Sequence, residues 1–446
     1  MTIRRALASR TPALLQDQAF RRYWSGQTIS MFGDQASSVA LPLVAVLALH
    51  ADAAQMGILG SLVWLPSLLF GLHAGAMVDR RGHRRVTMIT ADVGRAALLA
   101  SIPVAYGFGV LTLWQLYAVA FGTGLLCVLF TVSDPALFVM LVRCDQYVDG
   151  TQLIYGSRAL SFVGGPSIGG LLVQLLSAPV AVLADALSFL GSAFFLSRIR
   201  PAEPPPCRDD GALTAGARYI RRTAIIRAAL IAFSTVNFFN FAFLALFALY
   251  AVRDLGVAPG LLGLVLGTGA VGGVAGALVA RRLAARIGAG RVLTVCCFIY
   301  TAPLALVPLA GGPRPLVLAM LTAAWFVSGF GVMALDVSAG AIFASVIPDD
   351  LRSRVSGAFQ AVNYGTRPVG ALVGGFLATE IGLRSTLWVL VVGGMSAVLW
   401  LLPSPMSRYR LPTDPLSDAY RAPDYPDLSE LITEPGDELT GEPVQV

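Results

Sequence analysis

The chain contains no lysine: all 32 of its basic residues are arginine. That removes every mechanism built on a lysine amine, including a phosphate-loop lysine, a Schiff base and pyridoxal phosphate chemistry. Charge of either sign is scarce, at 13% of residues against about 25% in ordinary soluble domains. Histidine occurs three times. The five cysteines (Cys127, Cys144, Cys207, Cys296 and Cys297) show no metal-ligand spacing and lie mostly in or beside apolar runs, where a thiol behaves as a small hydrophobe. No cofactor and no metal site is expected. The N-terminus carries Arg4, Arg5, Arg10, Arg21 and Arg22 with only short apolar pieces between them. It lacks the apolar core of a cleavable signal peptide, so the first span is expected to stay.

What the chain has in excess is apolar surface, at 56% of 446 residues with a mean hydropathy of +0.72. This excludes a soluble globular protein. At about 20 residues per membrane-crossing helix, the apolar content allows about twelve spans. Long apolar runs fall at 24–49, 55–78, 86–107, 112–141, 156–177, 179–198, 226–250, 259–281, 291–310, 315–342, 356–379 and 384–402. The pattern predicts an all-α membrane protein with twelve transmembrane helices arranged as two six-helix pseudo-repeats around a central cavity. The expected domains are an N-terminal bundle over 1–198, a cytoplasmic linker with a short basic helix over 199–224, a C-terminal bundle over 225–402 and a tail over 403–446. The tail holds eight prolines and nine acidic residues against three arginines, a composition that buries no core and predicts disorder.

Arginine is retained on the cytoplasmic side of a membrane. With both termini inside, 26 arginines fall in cytoplasmic segments, Arg253, Arg314 and Arg384 fall outside, and Arg95, Arg158 and Arg367 lie within spans. The halves also resemble each other. Gly75-Ala-Met-Val-Asp79-Arg80-Arg81 aligns with Gly276-Ala-Leu-Val-Ala280-Arg281-Arg282, and Gly156-Ser-Arg158 with Gly365-Thr-Arg367.

The stretch Gly75 to Arg85, with Asp79, Arg80, Gly82, Arg84 and Arg85 at their spacing, resembles the signature loop of the major facilitator superfamily and sits where that family has it. The resemblance implies that Asp79 and Arg80 latch the two halves when the cavity faces outward. Ser30-Met-Phe-Gly33-Asp34 with Pro42, Asp92 with Arg95, Gly165-Pro166 with Gly169-Gly170, and Val346-Ile-Pro348-Asp349 before Arg354-Val-Ser356-Gly357 are similar to the macrolide-efflux and enterobactin-exporter branch of bacterial drug:proton antiporters. The likeness covers about residues 15–402. Two departures stand out: Ala280 replaces the carboxylate at the second-half latch, and Ser161 replaces the first glycine of a fifth-span motif common in antiporters.

An ionisable group near the bilayer centre costs about 2.5–3.5 kcal/mol on insertion scales, so each is a functional candidate. Asp34, near the midplane, is expected to exchange protons or meet a cationic substrate, with Gln35 beside it. Asp92 and Arg95 are three apart on one helix face and can pair. Asp134 and Asp336 occupy comparable depths in the two halves, either binding protons or reaching interfacial water, and Asp185 is expected to be structural. Trp64, Asn237, Phe238, Asn240, Asn363 and Tyr364 are candidate cavity-lining residues, because aromatic surface with few polar groups suits bulky apolar compounds. Gly263 and Gly267 of the eighth span are expected to pack against the fifth-span set Gly165, Pro166, Gly169 and Gly170.

The implied function is secondary active transport: export of an apolar or amphipathic small molecule, such as a drug, antibiotic or other secondary metabolite, by alternating access in exchange for protons. Siderophore or metabolite export and uptake remain open alternatives. The expected partners are a small-molecule substrate, protons and the lipid bilayer of the cytoplasmic membrane. No nucleic acid is expected, and a monomer is. Asp145 and Asp149 form a lone D-x-x-x-D without a second acidic cluster, so an enzyme is not expected, and a non-transporting scaffold is a remote alternative.

Overall fold

A computed structural model describes residues 13–81, 83–143, 146–200, 213–348 and 351–410, and their side chains apart from 13, 72–81, 213–215 and 353. Twelve long helical elements follow in order: α1 Gln18–Ala48, α2 Ala53–Arg81, α3 Arg84–Gly107, α4 Leu113–Leu141, α5 Tyr147–Leu176, α6 Ala178–Ser197, α7 Ala224–Arg253, α8 Pro259–Ile287, α9 Ala289–Leu309, α10 Arg314–Val346, α11 Arg352–Ile381 and α12 Leu383–Leu401. Eleven of them, all but α11, are long and apolar enough to cross a membrane. At 30 residues α11 has the length, but Arg354, Asn363, Arg367 and Glu380 dilute its hydropathy.

Local chemistry sets the helix ends. Asp17 caps α1, its carboxylate accepting from the Ala19 and Phe20 amides at 2.7 and 2.9 Å. Pro42 removes one amide from the end of α1, and the helix finishes in a π turn over Val44–Ala48. Arg22 and Arg85 donate to the last carbonyls of α6 and the residue after it, at Arg198, Leu196 and Ser197, where a cation suits the helix dipole.

The halves meet along two long seams, α2 with α11 and α5 with α8. Each seam crosses at a glycine pair. A Cβ on Gly57 would lie 2.7 Å from the Gly375 Cα, and one on Gly170 2.8 Å from the Gly263 Cα, so only glycine permits these approaches. One continuous apolar core, with Leu43, Met56 and Val182 of the first half against Phe243, Leu246 and Leu262 of the second, seals the arginine-poor end. At the arginine-rich end each half keeps its own core, around Tyr23 and Leu137 in the first and around Ile226 and Ile342 in the second. The space between the halves therefore opens toward the arginine-rich end.

A short amphipathic helix, Leu213–Arg222, docks on the second half, with Tyr219 and Ile220 buried and the Tyr219 hydroxyl donating to the Val346 carbonyl at 2.8 Å. The chain past Pro403 also packs there: Met406 is buried, and the Gly290 amide donates to the Tyr409 carbonyl at 3.0 Å. Packing thus continues to Arg410, while residues 411–446 of the expected tail lie outside the described residues.

Candidate functional site

Three polar clusters interrupt the apolar interior. The first is centred on Arg95 of α3, which is 3% exposed. It donates to Asp92, which is 0% exposed and one helical turn away, and its Nη1 lies 3.9 Å from an Asp34 oxygen on α1. Phe189 of α6 and Phe130 of α4 cover the guanidinium at 4.0 and 4.8 Å from ring centroid to Cζ. Asp185 of α6 adds a third carboxylate, held by Ser188 at 3.0 Å. Gly33 lets α1 approach here, since a Cβ would strike Ser188 and Asp185. Asp34 is the open member, its side chain 52% exposed. The Arg95 guanidinium thus has two carboxylates within 4 Å, one buried and one exposed, and Asp185 stands close by against Gly33. Gln35 is half-buried against Gly165 of α5.

The second cluster joins α1 to α4. Asp134 accepts from the buried Tyr23 hydroxyl at 2.6 Å and from the buried Gln27 amide. Arg158 of α5 is the cation acting on Asp134, and its side chain is exposed.

The third lies at the α2–α7–α11 junction. Arg367 donates from Nε to Asn237 at 2.9 Å, and Asn237 donates in turn to Asn363 at 3.0 Å. The guanidinium is stacked among Tyr364, Trp64 and Phe241 at 3.9, 4.4 and 4.4 Å. Trp64 belongs to the first half, so this cage bridges both. Asp336 of α10 is exposed, and Arg367 is the cation acting on it.

The structure therefore gathers Trp64, Asn237, Asn363 and Tyr364 around Arg367, a residue the sequence marks by its place within a span and in the internal repeat but not as a site residue. The available signal was the repeat that sets Arg367 opposite Arg158. Phe238 lies elsewhere, in an apolar cleft of about 500 Å³ between α7 and α11 with Ser234, Phe239 and Val362. Asn240 is buried in a small recess beside Phe243 and Thr301. On α5, Gly165 and Gly169 face α1, while Pro166 and Gly170 meet Gly263, and Gly267 meets Ser167. In the signature loop, Gly82 and the side chains of Asp79 and Arg80 lie outside the described residues, as do the surroundings of Gly75 and the residues Cys144, Asp145 and Cys207. Ala280, aligned with Asp79, is 1% exposed in the second-half core. Among the described residues no group of three His, Cys, Asp or Glu side chains could hold a metal ion.

Known proteins place this architecture. The nucleoside transporter NupG superposes with a TM-score of 0.69 at 13% identity, covering 88% of this chain and 100% of that one. A bacterial homologue of the lysosomal transporter Spinster, in an inward-facing and unoccupied conformation, gives 0.68 at 13% identity over 89% and 98% of the two chains. By sequence, the multidrug efflux pump Tap of Mycobacterium tuberculosis is 29% identical over 81% of this chain and 87% of its own length. The MFS-type transporter YfiS of Bacillus subtilis is 28% identical over 85% and 90%. Residues 9–423 match the model of the transmembrane secretion effector family. With that match spanning nearly the whole chain and twelve helices in two bundles, the protein belongs to the transmembrane secretion effector family and is a multi-pass transporter of the major facilitator superfamily.

Proposed function

We propose that the protein exports apolar or amphipathic small molecules from the cytoplasm in exchange for protons, as a monomer in the cytoplasmic membrane with both termini inside. The reading rests first on the Arg95 cluster. Two carboxylates lie within 4 Å of one guanidinium and a third stands close by, and with Arg95, Asp92 and Asp185 buried, unbalanced charge there is costly. Neutrality is reached when two of the carboxyls carry protons, and Asp34, bordering the open space, is the member able to exchange one. A site that loads and unloads a proton according to which side it faces is what coupling to a gradient requires. The arginine distribution supports an inside location for the open end, which makes this an inward-facing arrangement. The aromatic and amide residues around Arg367 offer a surface for a bulky apolar body with a few polar groups. The efflux activity named for Tap supports the outward direction.

The test is transport of a fluorescent amphiphile such as ethidium in proteoliposomes under an imposed pH gradient. Wild-type protein should move dye only with the gradient, and Asp34→Asn, which keeps size and polarity but removes the titrating proton, should insert normally and lose gradient-driven movement. Undiminished gradient-driven transport by Asp34→Asn would falsify the assignment.

A further inference from the structure

The last turn of α10 is a meeting point. The Ala344 carbonyl accepts from the Arg352 guanidinium of α11 at 3.1 Å, the Ser345 hydroxyl lies 2.9 Å from that of Tyr409, and the Val346 carbonyl accepts from Tyr219 of the short helix at 2.8 Å. Three consecutive residues therefore pin three segments that are far apart in sequence. Further contacts tie these segments to their neighbours. Gly216 of the short helix presses on the Arg354 carbonyl with no room for a Cβ, Arg227 of α7 donates to the Arg221 carbonyl at 2.7 Å, and the Gly290 amide donates to the Tyr409 carbonyl at 3.0 Å.

Each of these segments carries arginine. The short helix, the first turns of α7 and α11, the corner 281–291 between α8 and α9, and the stretch 403–410 hold twelve between them, all exposed except the half-buried Arg354. Among the described residues no carboxylate balances them: those of the second half are Asp254 and Glu380 at the other end and Asp336 within a span. The adjoining stretches 201–212 and 349–350 add Arg208 against five carboxylates, which leaves the face at +8. Positive charge of that density attracts an anionic partner.

The chain supplies one. Residues 411–446 leave from this face, where Arg410 lies against Gly288 at the α8–α9 corner, and they carry nine carboxylates with Arg421 as their one basic residue, a balance of −8. We infer that residues 411–446 dock as an acidic cover on the arginine face of the second half of the same chain. A flexible chain of 36 residues has a root-mean-square span of about 30–36 Å, enough to cross a bundle of helices spaced about 8–10 Å apart. Attachment at Arg410 holds it there at an effective concentration on the order of millimolar. Anionic lipid headgroups offer the same charge, but they carry no tether to this face. Docking neutralises the surface beside the open mouth, so cations reaching the mouth from the cytoplasm meet a weaker repulsion. The inference does not depend on the direction of transport.

Photocrosslinking of the full chain in detergent tests it, with Tyr425, which stands between Asp424 and Asp427, replaced by p-benzoylphenylalanine. At about 0.1 M salt, illumination should join the tail to peptides within 213–222, 281–291, 352–354 or 403–410 of the same molecule. At about 1 M the screening length falls from about 10 to 3 Å, and the yield should fall about fivefold or more. Converting all nine tail carboxylates to amides, a change outside the packed helices, should abolish the crosslinks. Crosslinks to the first half or between molecules, a yield indifferent to salt, or crosslinks that survive in the amide tail overturn the inference. So does their loss in phosphatidylglycerol nanodiscs but not in phosphatidylcholine ones, which would give the face to lipid headgroups. Since the readout is a covalent product and no transport is measured, its failure leaves the export reading standing, and failure of export leaves the docking intact.

Discussion

Replacing Arg253 by leucine removes a hydrogen bond that ties one half of the protein to the other at the closed end. The Arg253 Nη2 donates to the Ala51 carbonyl at 3.1 Å, across 202 residues of sequence. Its acceptor sits in the short connection between α1 and α2, beside His50 in the left-handed region at φ 52°. A hydrogen bond with a charged donor contributes about 1.5–3 kcal/mol and an ordinary one about 0.5–1.5. Arg253 is exposed, so screening places it in the lower range. Since the bond exists only while that end is shut, losing it shifts the equilibrium toward the open form by roughly two- to twelvefold. Met56, 2% exposed within the apolar seal, reports the change once converted to cysteine in a Cys127→Ser background. Its labelling rate with a membrane-impermeant methanethiosulfonate should rise by the same factor in Arg253→Leu. An unaltered rate in a normally inserted variant would refute the reasoning and leave the bond a surface contact.

Three further outcomes are expected. Arg95→Leu strands Asp92 without its partner at 0% exposure and should cost about 3–5 kcal/mol, visible as a lowered melting temperature, whereas Arg95→Leu combined with Asp92→Asn should recover most of the loss. Ala280→Asp places a carboxylate at a 1% exposed position in the second-half core, so it should reduce folded yield on detergent extraction by a penalty of several kcal/mol, and yield equal to wild type would show that the helix yields there. Gly170→Leu forces a side chain into the Gly263 backbone, so overpacking of about 1–3 kcal/mol should slow transport while membrane insertion, read by fluorescence of a fused reporter, stays normal.

Depth in the membrane was legible in the sequence, and rotation about each helix axis was not. Runs of apolar residues located most span ends to within four residues, missing the polar first turns of α1 and α5 by six and nine and the arginine-bearing end of α8 by six, and the three-residue spacing of Asp92 and Arg95 announced their pairing, because both depend on one helix alone. Which carboxylates join that pair depends on how α1 and α6 are turned toward α3, and nearly uniform apolar composition leaves no periodic signal to say. The same gap concealed Arg367, whose partners come from α2, α7 and α11. Ala280 shows the limit of repeat logic: alignment set it opposite Asp79 as a candidate latch position, but a turn of α8 against the second-half core buries it. The helix α11, which falls short of the apolar content of a crossing span, was still found by length, because its polar residues are spaced among apolar ones.

The glycine crossings fix the mechanical advantage of the molecule. Gly57 lies one turn from the start of α2, leaving 24 residues to Arg81 on the other side, an arm of about 36 Å against one of about 6 Å. A rotation of about 10° at that fulcrum carries the distant end some 6 Å but the near end only about 1 Å. Swinging on these points, the two bundles can shut or widen the arginine-rich mouth almost independently of the other. Opening the opposite mouth by a comparable distance on so short an arm takes a different movement, in which the contact point itself travels along the seam. On α8, Gly267 lies one turn past Gly263, against Ser167 of α5, and supplies the next foothold for that travel.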